Sequence, residues 1–134
     1  MTHQKGMGKH LTKRSSLVYP IATLVWAIVI VILSTMPGQQ LPQIDWLMTP
    51  DKFGHAFVYG VLAVGLYQSF YGAWKTPIFA GLWASGYGIT MELVQYGFFP
   101  GRYFELWDIV ANISGSIAGL IFFKIFEKRF KVFK

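Results

Sequence analysis

The run from Leu17 to Met36, LVYPIATLVWAIVIVILSTM, contains no Asp, Glu, Lys or Arg. As a helix rising about 1.5 Å per residue, it covers the roughly 30 Å hydrocarbon core of a bilayer. A polar tail, residues 1–16, precedes it and carries Lys5, Lys9, Lys13 and Arg14. A secretory signal shares this basic-then-apolar order, but its apolar part is usually shorter and ends at a small-residue cleavage site. Here the run ends in Ser34-Thr35-Met36-Pro37-Gly38, so it reads as an uncleaved first transmembrane helix. Composition agrees. Only 13% of the residues are charged and 54% are hydrophobic, with 14 glycines. Soluble chains average about 25% charged residues, and glycine is at home in membrane helices, where it lets neighbours approach.

The 134 residues accommodate one domain. The reading is an all-α membrane protein, a four-transmembrane-helix bundle over residues 17–126 between a basic tail at 1–16 and another at 127–134. The spans are expected at 17–36, 53–70, 77–96 and 106–126. Thr49-Pro50-Asp51 has the order of a helix start: a capping hydroxyl, a proline at the first position, an acid near the positive end of the dipole. The remaining polar stretches are a proline-punctuated loop at 37–50, a short turn at 72–76 and a hairpin at 98–105. Four Lys/Arg precede the first span, and Lys124, Lys128, Arg129, Lys131 and Lys134 close the chain. The connecting loops hold only Lys52, Lys75 and Arg102. The positive-inside rule then puts both termini on the cytoplasmic side of the membrane.

That orientation brings separated polar residues to one depth. Asp51, Lys52 and His55 begin the second span; Glu92 and Gln95 end the third; Arg102 follows in the loop; Asp108 and Asn112 begin the fourth. Asp51, His55 and Tyr59 fall at i, i+4 and i+8 on one helix face. Gly81, Ser85, Gly88, Glu92 and Gln95 form a stripe on the third span. Asp108, Asn112, Gly115 and Gly119 form another on the fourth. Small residues Gly81, Ser85, Gly88, Gly115 and Gly119 would pack the helices below an outward-facing polar pocket. Ionisable groups at membrane depth signal function. Lys52 also suits a simple interfacial lysine whose stem lies along apolar surface while its head reaches water. The basic residues after the fourth span suit an anchor to anionic lipid.

The ordered set Asp51-Lys52-x-x-His55 with Tyr59, Glu92-x-x-Gln95, Pro100-Gly101-Arg102 and Asp108-x-x-x-Asn112-x-x-Gly115 with Gly119 resembles the VanZ-like family. These are small bacterial membrane proteins named for an accessory factor in teicoplanin resistance. The resemblance covers about residues 51–119. It departs from the family where Met91, and not an acid, precedes Glu92. It implies a four-helix membrane protein linked to glycopeptide susceptibility.

The function expected from these residues is binding. Arg102 and His55 would hold an anionic envelope component, a lipid or cell-wall precursor head group or a glycopeptide-related ligand, at the outer leaflet. Glu92 and Asp108 would orient them, His55 facing Glu92, and Gln95, Asn112, Asp51, Lys52 and Tyr59 would complete the pocket. The alternative is an intramembrane hydrolase or group-transfer enzyme acting on a lipid-linked substrate, with Glu92 as base, His55 as acid and Asp108 beside them. The glycopeptide link that the resemblance implies favours the binder, and the residues add little for the enzyme. There is no Gly-x-Ser-x-Gly nucleophile turn, and the only histidines besides His55 are His3 and His10 in the tail. A multi-histidine metal centre is therefore excluded, and no metal or cofactor is expected; a carboxylate-held magnesium at Glu92 and Asp108 is the one metal reading left open. The chain has no cysteine. Its net charge of +6 lies mainly in the tails, without a groove-reading motif, so nucleic acid is not an expected partner. A channel is disfavoured because the polar layer is not expected to continue into the inner half.

Overall fold

A computed structural model of the chain describes residues 17–36, 50–71, 73 and 76–132. These residues form four helices and no β-strand: α1 (Val18–Thr35), α2 (Pro50–Ser69), α3 (Ile78–Phe98) and α4 (Leu106–Val132). Thr49, the expected cap, lies outside the described residues; Pro50 opens α2 and Asp51 sits in its first turn. Helix α4 runs six residues past the expected end of the last span, through the basic segment. Two stretches, Val18–Thr35 and Leu106–Arg129, are long and apolar enough to cross a membrane.

Helices α2 and α4 lie side by side and point the same way, with a constant pairing offset. Lys52 meets Asp108, His55 meets Asn112, Ser116 reaches the carbonyl of Tyr59, and Lys124 reaches Tyr67. Their contact is the most extensive between helices among the described residues, and at its centre backbone meets backbone. A Cβ at Gly115 would run into the backbone of Ala56, and one at Gly119 would lie 2.8 Å from the Cα of Gly60. Gly60 in turn sits under the Gly115 carbonyl. Glycine is required at this seam because any side chain would force the helices apart. Gly88 of α3 makes a similar contact with Asn112 and Tyr59, and Gly81 faces the side chain of Leu120.

Helix α3 packs on α4, and α1 covers α2. Helix α1 is tied by Trp26 Nε1 donating to the Val58 carbonyl at 3.0 Å and by Tyr87 donating to the Ala27 carbonyl at 2.9 Å. The apolar core is narrow: Ile30, Tyr59, Leu62, Ala63, Tyr67, Ala80, Ala84, Met91 and Leu120. Around it the usual distribution is inverted. Lys52, Glu92, Gln95, Asp108, Asn112 and Ser116 are buried, while Leu24, Phe53, Phe57, Trp83, Leu93 and Phe122 are exposed.

The opposite end of the bundle also holds polar groups. Lys124 donates to the Tyr67 hydroxyl at 2.6 Å and pairs with Glu127 at 3.1 Å. Thr23 and Ser69 share a hydrogen bond beside Gly65. Lys124 is therefore engaged within the protein, not simply extended toward a lipid surface.

Candidate functional site

The start of α2, the end of α3 and the start of α4 meet at one end of the bundle. Lys52 is the hub. Its side chain is only 8% exposed. The ammonium pairs with Asp108 Oδ1, with Glu105 Oε2 at 2.5 Å and with Asp51 Oδ2 at 3.6 Å. The interfacial reading of Lys52 is thus corrected: three carboxylates draw its head group inward. Glu105 is the residue that sequence reasoning missed. Glu105 lies just before the first residue of α4, where helical spacing gives no sequence signal for the contact.

His55 stands one turn below Lys52 and Asp51. Its Nδ1 lies 3.0 Å from Asn112 Oδ1, and its Nε2 lies 3.9 Å from both Asp51 Oδ1 and Asp108 Oδ2. His55 accordingly faces Asp51, Asp108 and Asn112, not Glu92 as expected. Asn112, 1% exposed, bridges the cluster to the core through its contact with Gly88. Ser116 continues the α4 stripe by donating to the Asn112 carbonyl at 2.8 Å. Tyr59, also buried, lies under this layer with its ring 6.5 Å from that of Tyr87.

Glu92 is 3% exposed and makes no hydrogen bond or ion pair among the described residues. The charges of Asp108, Glu105, Lys52 and Arg102 all act on its carboxylate, so it belongs to the same layer. Gln95, one turn further along α3, does not offer its amide to a ligand. Its Nε2 donates to the Ser34 carbonyl at 2.9 Å.

Arg102 does similar work beside it. The Arg102 N–H closes on the Phe99 carbonyl at 3.2 Å across Pro100-Gly101, with Gly101 at φ 85°. A proline followed by a positive-φ glycine is the type II pattern, and it aims the arginine back at α1. There Nη2 donates to the Met36 carbonyl at 3.1 Å. The last carbonyls of a helix have no partner within it; Gln95 and Arg102 satisfy two of them for α1. No carboxylate pairs with Arg102 among the described residues, so the expected orientation of Arg102 by Glu92 and Asp108 is not formed. Its Nε is buried without a partner, and so is Nδ2 of Asn112. Beside Arg102 a hollow of about 220 Å³ is lined by residues 96–102.

Of the packing residues, Gly88, Gly115 and Gly119 stand at very close contacts, Gly81 at a tight one with the Leu120 side chain, and Ser85 is half-buried. In comparisons with known proteins, no family model, no curated protein and no solved structure matches the chain.

Proposed function

We propose that the chain is a multi-pass protein of a bacterial cytoplasmic membrane, related to the VanZ-like proteins, with four spanning helices and both termini inside. Its polar layer, at the outer ends of the helices, recognises the anionic head group of an envelope component. That component is a lipid, a cell-wall precursor or a glycopeptide-related ligand, and the protein contributes to teicoplanin resistance. The family relation rests on the ordered motif from Asp51 to Gly119. The membrane reading is supported by the inverted distribution of polar and apolar side chains: bilayer, unlike water, does not penalise exposed Phe, Leu and Trp.

The observation that carries the binding role is Arg102. Buried polar groups are rarely left without partners, and an orphaned donor costs about 1–3 kcal/mol. Arg102 is held by its turn and by the Met36 carbonyl, with its Nε buried and unused beside a hollow. An acceptor entering that hollow would meet the Arg102 side chain, and a guanidinium fork suits a phosphate or carboxylate. Lys52 and His55 are already engaged, so the task of holding the anion falls on Arg102.

The test is teicoplanin susceptibility of cells expressing the wild type, Arg102→Lys or Arg102→Gln, with folding checked in detergent. Lysine keeps the charge but loses the fork, and glutamine loses both. Both variants should lose the resistance conferred by the wild type while remaining folded. Folded variants with full resistance would refute the binding role, and a wild type that confers none would refute the resistance link.

A further inference from the structure

We infer that Asp51, His55 and Asp108 form a binding site for one divalent transition-metal ion, zinc above all. This site stands without the head-group reading and lies on different side chains from Arg102.

The first argument is the distribution of lone pairs. With Asn112 Oδ1 as the acceptor of the 3.0 Å contact, the proton sits on His55 Nδ1. A neutral imidazole then carries a lone pair at Nε2, the arrangement in which histidine ligates metals, with the other ring nitrogen donating to an oriented acceptor. That lone pair faces two more acceptors, Asp51 Oδ1 and Asp108 Oδ2, each at 3.9 Å. The three donor atoms lie within 4.8 Å of one another. At 3.9 Å there is no hydrogen bond. Three electron-rich atoms converge with no hydrogen bond joining them, and a cation is the species that makes such a convergence favourable.

Lys52 does not fill this role, because it approaches from the other side. Its ammonium takes Asp108 Oδ1 and Asp51 Oδ2, which leaves Oδ2 of the one and Oδ1 of the other directed at His55. The charge count supports a doubly charged guest. Asp51, Glu105 and Asp108 contribute −3 and Lys52 contributes +1, leaving a formal −2 around the site.

Size and access fit as well. Zinc binds nitrogen and carboxylate oxygen at about 2.0–2.2 Å, so tetrahedral ligands stand about 3.4 Å apart. The two histidine–carboxylate separations need to close by about half an ångström from 3.9 Å, and the carboxylate–carboxylate separation, which lies within 4.8 Å, by no more than about 1.4 Å. Asp51, with 68% of its side chain exposed, has the freedom to move and marks the entrance. Asp108 and His55 are held by Lys52 and Asn112. One nitrogen and two carboxylates suit zinc or manganese better than the all-oxygen shells preferred by magnesium and calcium.

The experiment is zinc titration of the full-length protein by isothermal calorimetry. The protein is purified in detergent on a tag without histidine, stripped with chelator and dialysed. One ion per chain is expected. Asp51→Asn and His55→Gln should each weaken binding at least about tenfold, the least that loss of even a supporting hydrogen bond brings to such a site. The double variant His3→Gln/His10→Gln should bind as the wild type does. Folded wild type that takes up no zinc would overturn the site. So would binding that survives both Asp51→Asn and His55→Gln, or binding abolished by the tail variant. Asp51 is exposed, so its substitution leaves the fold intact and decides the matter even if an Asp108 variant does not fold.

Discussion

Replacing Lys52 by methionine keeps the length of the stem and deletes the charge at the hub of the polar layer. The consequence follows from how its partners are placed. The Asp108 side chain is 10% exposed, so once its counter-charge is gone it is a nearly buried, uncompensated carboxylate. Breaking such a pair from one side costs about 3–5 kcal/mol. Glu105 is 40% exposed and is rehydrated easily; an exposed pair adds no more than about 1 kcal/mol. Methionine occupies much of the same volume, so packing changes little. A loss of about 3–5 kcal/mol is expected for Lys52→Met. The double variant Lys52→Met/Asp108→Asn removes the orphaned charge as well and should recover part of that loss, with a coupling of about 2–3 kcal/mol. Unfolding by SDS titration in mixed micelles measures both. Trp26, whose indole N–H bonds the Val58 carbonyl across α1 and α2, serves as the fluorescent reporter. Chelator keeps a metal ion from substituting for the lost ammonium. A single variant within about 0.5 kcal/mol of wild type, without coupling to Asp108, would refute the account of Lys52 as a buried hub.

Two further outcomes are expected. Gly115→Ala should destabilise the bundle by about 1–3 kcal/mol or more, because the new methyl meets the backbone of Ala56 and no side-chain rotation relieves it. Gly86→Ala should instead stabilise by about 0.5–1 kcal/mol, since nothing lies within 4 Å of its Cβ position; equal effects in the same SDS titration would contradict the seam. For orientation, the chain has no native cysteine, and Tyr103→Cys should react with an impermeant maleimide on intact cells. Lys128→Cys should react only after permeabilisation, and the reverse pattern would invert the proposed topology.

The helical stripes were legible because a 3.6-residue period puts Asp51 with His55, and Asp108 with Asn112, on single faces. The convergence of α2 and α4 followed from those stripes. What was hidden depended on loop geometry and on helix ends. Glu105 belongs to the connection before α4, and only the fold of residues 99–105 brings it to Lys52. Gln95 and Arg102 look like ligand contacts in the sequence because they sit beside Glu92. Their use as partners for the terminal carbonyls of α1 depends on where that helix stops. Gly60 went unremarked for a related reason. Composition marks glycines as packing residues, but only the crossing point shows which of them must touch backbone.

The glycine seam between α2 and α4 acts as the fulcrum of the polar layer. His55 sits next to Ala56 at the crossing, whereas Asp108 projects from α4 seven residues above Gly115, a lever of about 10 Å. A rotation of one helix against the other by about 10° would shift Asp108 by nearly 2 Å while hardly moving His55. Such a shift would change the approach of Nε2 to Asp108 while the contact near the pivot, His55 with Asn112, moved less. Gly60, Gly115 and Gly119 carry no functional group, yet they set the tolerance to which the charged end is built. A distant substitution that changed the crossing angle would alter the chemistry there without touching any of its side chains.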